Sequence, residues 1–188
     1  MPDLDPLLDL YRRRGDLHYE GEGVTQLQHG WQCGELALRA GATPELQLAA
    51  WLHDLGHLVS VLPGTPTTQG LDDRHESVAA ALLRPLFGDV VAEPVALHVQ
   101  AKRYLVGAQP GYRERLSADS LRSLALQGGP MDAAEQAAFG RRPFAGDAIR
   151  LRAWDDAAKT PGWQAPDRAA AIDALAALMR AVASGCPH

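Results

Sequence analysis

The chain has 188 residues, 46% hydrophobic and 22% charged, with a formal net charge of -5. That balance suits a soluble core-forming protein and excludes the disordered and fibrous classes. It also offers no basic stripe for a phosphate backbone or an anionic bilayer, so neither nucleic acid nor membrane is an expected partner.

One domain spanning residues 1–188 is the expectation at this length. Cys33 and Cys186 form neither a metal-ligand spacing nor a disulfide framework. The opening segment MPDLDPLLDLYRRRGD has the wrong charge order for a signal peptide, and no run reaches about 18 apolar residues. A cytoplasmic location is expected.

Apolar residues recur at intervals of three and four, and no stretch alternates as a half-buried strand would, which predicts an all-α bundle. A first helix covers Pro6 to Arg14 and stops at Gly15, and a second runs from Val24 to Ala40 before Gly41. Thr43 suits an N-cap and Pro44 the first helical position of a buried helix carrying LQLAAWLHDLGHL. The Pro-, Gly- and Thr-rich segment 63–73 reads as a loop suited to act as a lid. Helices follow at Arg74–Phe87, Val90–Val106 and Ser117–Gln127. Asp132 with Glu135 makes a capping pair for a short successor, and Phe144–Lys159 and Arg168–Ala183 complete the set.

Chemistry concentrates in His53-Asp54-Leu55-Gly56-His57. On one continuous helix, His53 and His57 stack on a single face and Asp54 is rotated by about 100°. Imidazoles and a carboxylate left unpaired in so apolar a helix would cost several kcal/mol by rough estimate, which a cation relieves. His29, His75, His98 and Asp155 each fall on a different predicted element, the way helical bundles assemble interior metal sites. A single histidine of this kind is ordinarily a core residue, and the joint pattern carries the inference. His18 and His188 sit in a loop and at the terminus, outside the site. The zinc-protease pattern H-E-x-x-H is a poor match, since Asp replaces Glu and the distributed ligands would go unexplained.

The strings VTQLQHGWQC, LHDLGH, HVQAKRYLVG, LQGGPM and WDDAAK join these residues in a pattern spanning Tyr19 to Lys159. Together they resemble the HD-domain superfamily and, within it, the mixed-valent diiron oxygenases that cleave organophosphonates. The resemblance implies an HD-domain bundle in which His29, His53, Asp54 and Asp155 bind one iron and Asp54, His75 and His98 the other. Asp155 matches the ligand position, although spacing alone does not separate it from Asp156. Tyr19 would cap an iron before substrate arrives, Glu22 would bind a substrate amino group, and His57 would donate a hydrogen bond near the substrate hydroxyl.

Lys102 follows His98 by one helical turn, within reach of an oxyanion beside the metals, although an isolated lysine is ordinarily solvated. Ser120, Ser123 and Gln127 form a polar stripe that the resemblance places around the phosphonate. The implied reaction uses a diiron Fe(II)/Fe(III) pair and O2 to cleave the C–P bond of a 1-hydroxyalkylphosphonate. 2-Amino-1-hydroxyethylphosphonate, giving glycine and phosphate, is the expected substrate. The competing reading is an HD-domain phosphohydrolase acting on a nucleotide or phosphate monoester, against which the extra histidines and the Tyr19/Glu22 pair weigh.

Overall fold

The first helix, α1 (Asp5–Arg14), opens with a proline in its first turn and closes on Arg12, Arg13 and Arg14, cations suited to the negative end of the helix dipole. The computed structural model describes residues 2–19, 23–59, 67–165 and 167–185. Among these residues lie ten α-helices and one two-stranded antiparallel pair, β1 (His18–Tyr19) with β2 (Val24–Thr25).

The second helix starts two residues later than the periodicity predicts, at Gln26. Thr25 is the cause: its hydroxyl accepts the Gln28 N–H, while the Gln28 side chain accepts the Thr25 N–H. This capping box holds Thr25 extended, leaves Val24 to pair with Tyr19, and begins α2 (Gln26–Arg39).

Thr43 and Pro44 start α3 (Pro44–Leu52) as expected, but the helix does not continue through the motif. His53 and Asp54 form a turn, and α4 (Leu55–Val59) begins after it. The break interrupts the continuous helix expected for this motif, with His53 fully buried before it and His57 half-buried after it. Gly56 is required here, because a Cβ would stand 2.2 Å from the His75 carbonyl oxygen.

Residues 63–66 of the expected lid lie outside the described residues. Thr67–Gln69 form a 3-10 turn in which the Thr67 hydroxyl donates to Asp119 Oδ1 at 2.6 Å. The remaining helices are α5 (His75–Phe87), α6 (Asp89–Ala108), α7 (Ala118–Leu126), α8 (Ala133–Gly140), α9 (Ala145–Ala157) and α10 (Arg168–Gly185). Asp132 and Glu135 form the capping box that the sequence predicts.

The long α6 packs on α5, α9 and α3, while α2 lies against α3 and α9, and α10 covers α3. Leu48, Leu52, Leu55, Leu83, Phe87 and Leu175 are fully buried between them, each contributing about 1.5–3 kcal/mol of transfer free energy. Helices α2 and α3 approach closely because Gly34 faces the Trp51 indole, where a Cβ would fall 2.0 Å from a ring carbon. That approach brings His29 and His53 together. Among the described residues, no helix is long and apolar enough to cross a membrane.

Candidate metal centre

Five elements converge on one buried point. His29 comes from α2, the His53-Asp54 turn from the end of α3, His75 from the first residue of α5, His98 from mid-α6 and Asp155 from α9. His29 and His53 face each other with Nε2 atoms 3.2 Å apart, and His75 and His98 repeat the arrangement at 3.2 Å. Asp54 stands between the pairs. Its Oδ2 lies 3.5 Å from His29 Nε2 and 3.4 Å from His53 Nε2, and its Oδ1 lies 3.4 Å from His75 Nε2. Asp155 Oδ1 joins the first pair, 3.4 Å from His29 Nε2.

Hydrogen bonding at the other ring nitrogen decides what these Nε2 atoms are. The Nδ1 atoms of His29, His53 and His98 approach the carbonyls of Ala158, Ala50 and Val95 at 2.9, 2.8 and 2.7 Å. Carbonyls only accept, so each Nδ1 carries the hydrogen, and in its neutral form each ring turns an Nε2 lone pair to the centre. His75 does the same through Asp73 Oδ1 at 3.0 Å. Lone pairs facing one another, with Asp54 Oδ2 and Asp155 Oδ1 buried and without a donor among the described residues, form an arrangement that a cation stabilises. The chemistry of these residues therefore fits a metal centre.

The surroundings are charged. Arg152, nearly wholly buried, places Nη1 2.7 Å from Asp155 Oδ2 and Nη2 3.2 Å from the Ser120 hydroxyl, and also binds Asp156. Burial alone would raise the Asp155 carboxyl, but the Arg152 and Lys159 charges override it and hold it well below the usual carboxylate range. Asp156 instead accepts from Tyr112 and Arg152, so the two adjacent acids are separated by what they face. The Tyr19 ring stacks on His29 at 4.0 Å, and desolvation with the Asp54 charge pushes its phenol well above the ordinary value.

A cavity of about 440 Å³ opens from this centre. Lys102, Ser120, Ser123 and Gln127 all line it, so the polar stripe on α7 faces inward. Lys102 is 3% exposed and donates to Ser123 Oγ at 2.7 Å, rather than standing solvated. Burial, reinforced by Arg152, pushes its ammonium down to about 7. His57 also lines the cavity, with its Nδ1 2.9 Å from Asp73 Oδ2.

Glu22 and His188 lie outside the described residues. His18, set aside on sequence grounds, belongs to β1 and lines the cavity. Sequence reasoning also missed Asp73, Arg152 and Cys33, whose Sγ is 3.8 Å from His29 Nε2. The Arg152–Asp155 pair carried a signal, an i,i+3 ion pair on one helix. Asp73 carried none that distinguishes it from Asp72.

Fold and centre together define an all-helical protein whose core gathers His and Asp groups suited to metal, beside a cavity suited to an anion. No protein-family profile matches the chain. It is 44% identical over 162 residues to the hydroxymethylphosphonate dioxygenase of Gimesia maris, covering 86% of this chain and 80% of that protein. It is 41% identical over 159 residues to the [1-hydroxy-2-(trimethylamino)ethyl]phosphonate dioxygenase (glycine-betaine-forming) of Leisingera caerulea, covering 84% and 81%. An uncharacterized protein of Acanthamoeba polyphaga mimivirus is 34% identical over 159 residues. The chain belongs to the phosphonate dioxygenase family and is an enzyme of that type.

Proposed function

We propose that the enzyme cleaves the C–P bond of a 1-hydroxyalkylphosphonate with O2, acting in the cytoplasm, and that its substrate is 2-amino-1-hydroxyethylphosphonate. The observation that carries this reading is the cavity wall. Two buried cations, Lys102 and Arg152, flank Ser120 and Ser123 beside the His/Asp centre, and Arg152 Nε and Gln127 Oε1 are buried without a partner among the described residues. An anion with several oxygens satisfies such a wall by charge-assisted hydrogen bonds.

His29, His53, Asp54 and Asp155 would hold one iron, and Asp54, His75 and His98 the other. When bound, such a mixed-valent pair supplies one-electron redox and O2 chemistry. The protein's own residues do the rest. Lys102, Arg152 and the α7 hydroxyls bind the phosphonate and fix its orientation, placing C1 toward the centre. His57, held by Asp73, meets the substrate hydroxyl. Tyr19, which stacks on His29 and lines the cavity, would cap an iron until substrate arrives. Glycine and phosphate contain together the atoms of the substrate plus one O2, so the substrate itself is the reductant.

The relatives differ at the substrate's far end, one named for a hydroxymethyl compound and one for a trimethylammonium compound. Recognition of a quaternary ammonium favours an aromatic cage. Among the described residues lining this cavity, Tyr19 is the lone Phe, Tyr or Trp. That supports a primary amine, with Glu22 as its partner.

The test is O2 uptake and phosphate release from 2-amino-1-hydroxyethylphosphonate by iron-loaded protein. Equal stoichiometry of O2, glycine and phosphate is expected. Phosphate release from a nucleotide or phosphate monoester at comparable rates under argon would overturn the reading in favour of a phosphohydrolase.

A further inference from the structure

We propose that the His29–His53 half of the centre is also a thiolate-containing site for a borderline divalent ion such as zinc or cobalt, with Cys33 as its sulfur ligand. Cys33 follows His29 by four residues on α2, so the two side chains stack on one face. It is 1% exposed, and its Sγ, His29 Nε2 and His53 Nε2 all lie within 4.8 Å of one another.

The two separations measured to His29 Nε2 suit one tetrahedral ion. With Zn–S of about 2.3 Å and Zn–N of about 2.0–2.1 Å, two tetrahedral ligands stand about 3.6 Å apart for sulfur and nitrogen and about 3.4 Å for two nitrogens. The corresponding separations here are 3.8 Å for Cys33 Sγ to His29 Nε2 and 3.2 Å between the two Nε2 atoms. A fourth ligand is at hand and independently points to a cation. Asp155 Oδ1 and Asp54 Oδ2 are both buried without a donor among the described residues, at 3.4 and 3.5 Å from His29 Nε2. The result is a donor set of two nitrogens, one sulfur and one oxygen.

Thiolate favours zinc over harder ions, and zinc has no redox chemistry of its own. Binding exchanges the Cys33 proton for the metal, and that proton leaves to water. Zinc held in this way would occupy the place assigned above to one iron, and that consequence rests on the proposed function. The donor set itself does not.

Full-length metal-free protein loaded with one equivalent of zinc should show, by X-ray absorption, a sulfur scatterer at about 2.3 Å. The cobalt(II) form should show a sulfur-to-metal charge-transfer band in the near ultraviolet, lost in Cys33→Ala and kept in Cys186→Ala. In competition with a chelator, Cys33→Ala should hold zinc about tenfold or more weakly. A zinc shell of nitrogen and oxygen alone would overturn the proposal, and so would a band that follows Cys186. The absorption measurement on the unmodified protein decides the question even if the variant folds poorly. It is also independent of whether the iron-loaded enzyme turns over a phosphonate.

Discussion

Arg152 Nη1 lies 2.7 Å from Asp155 Oδ2, and both side chains are almost wholly buried. With Oδ2 clamped, Oδ1 is left facing His29. The other end of the same guanidinium meets Ser120 on the cavity wall. A single residue thus couples the orientation of a candidate metal ligand to the surface that would receive the phosphonate. Removing one partner of such a buried pair leaves an uncompensated charge, and Arg152→Met should cost about 3–5 kcal/mol in the metal-free protein. Urea unfolding measures it, and a loss below about 1 kcal/mol would show that Lys159 alone neutralises Asp155.

Asp73 accepts from His75 Nδ1 through Oδ1 at 3.0 Å, and its Oδ2 lies 2.9 Å from His57 Nδ1. Burial would raise its carboxyl, but these two contacts outweigh that and hold it far below the usual range. Asn offers one acceptor oxygen in place of two. Asp73→Asn should weaken metal retention about 10- to 100-fold, read by chelator competition. Unchanged retention would mean that Asp73 does not orient His75.

Gly56→Ala places a methyl against the His75 backbone, which has no rotamer by which to yield. We expect a loss of about 1–3 kcal/mol in thermal unfolding, together with a lower metal-to-protein ratio as His75 is displaced. Full stability with full loading would contradict the close approach of α4 and α5.

Lys102 yields a pH prediction with a definite sign. Burial, then Arg152, holds its folded-state pKa at about 7, whereas an unfolded lysine titrates near about 10.4. Between those values the unfolded chain binds more protons, so this residue's penalty is fully present below pH 7 and fades as pH rises toward 10. The stability of the unmodified protein relative to Lys102→Met should therefore increase from pH 7 to pH 9.5. Phosphonate binding runs the other way, because it needs the ammonium, and Lys102→Ala should weaken it roughly 10- to 100-fold at neutral pH. A stability difference that does not change with pH would remove the argument for a depressed lysine.

Much of the molecule was legible in advance because its signals are local. Thr43 with Pro44, Asp132 with Glu135, and the three-and-four apolar rhythm mark helices by chemistry within a few residues. The departures arise where a nearby signal competes with periodicity or a distant contact overrides it. The Thr25–Gln28 capping box delayed α2, and the HDLGH helix broke at His53 and Asp54, just before the close approach of Gly56 to His75.

From the sequence alone followed the all-helical class, the positions of the helices other than the one carrying HDLGH to within about two residues, and the six His and Asp side chains, whose polarity in apolar surroundings demands a partner. Only the tertiary structure decided how those six divide. Asp54 turns one oxygen to each histidine pair, Asp155 faces the centre while Asp156 faces Tyr112, and Cys33, Asp73 and Arg152 join the site. The reason is physical: helical periodicity says which face a residue occupies, but which faces meet depends on close approaches such as Gly34 on Trp51. Those approaches are properties of the packed pair and of neither segment by itself.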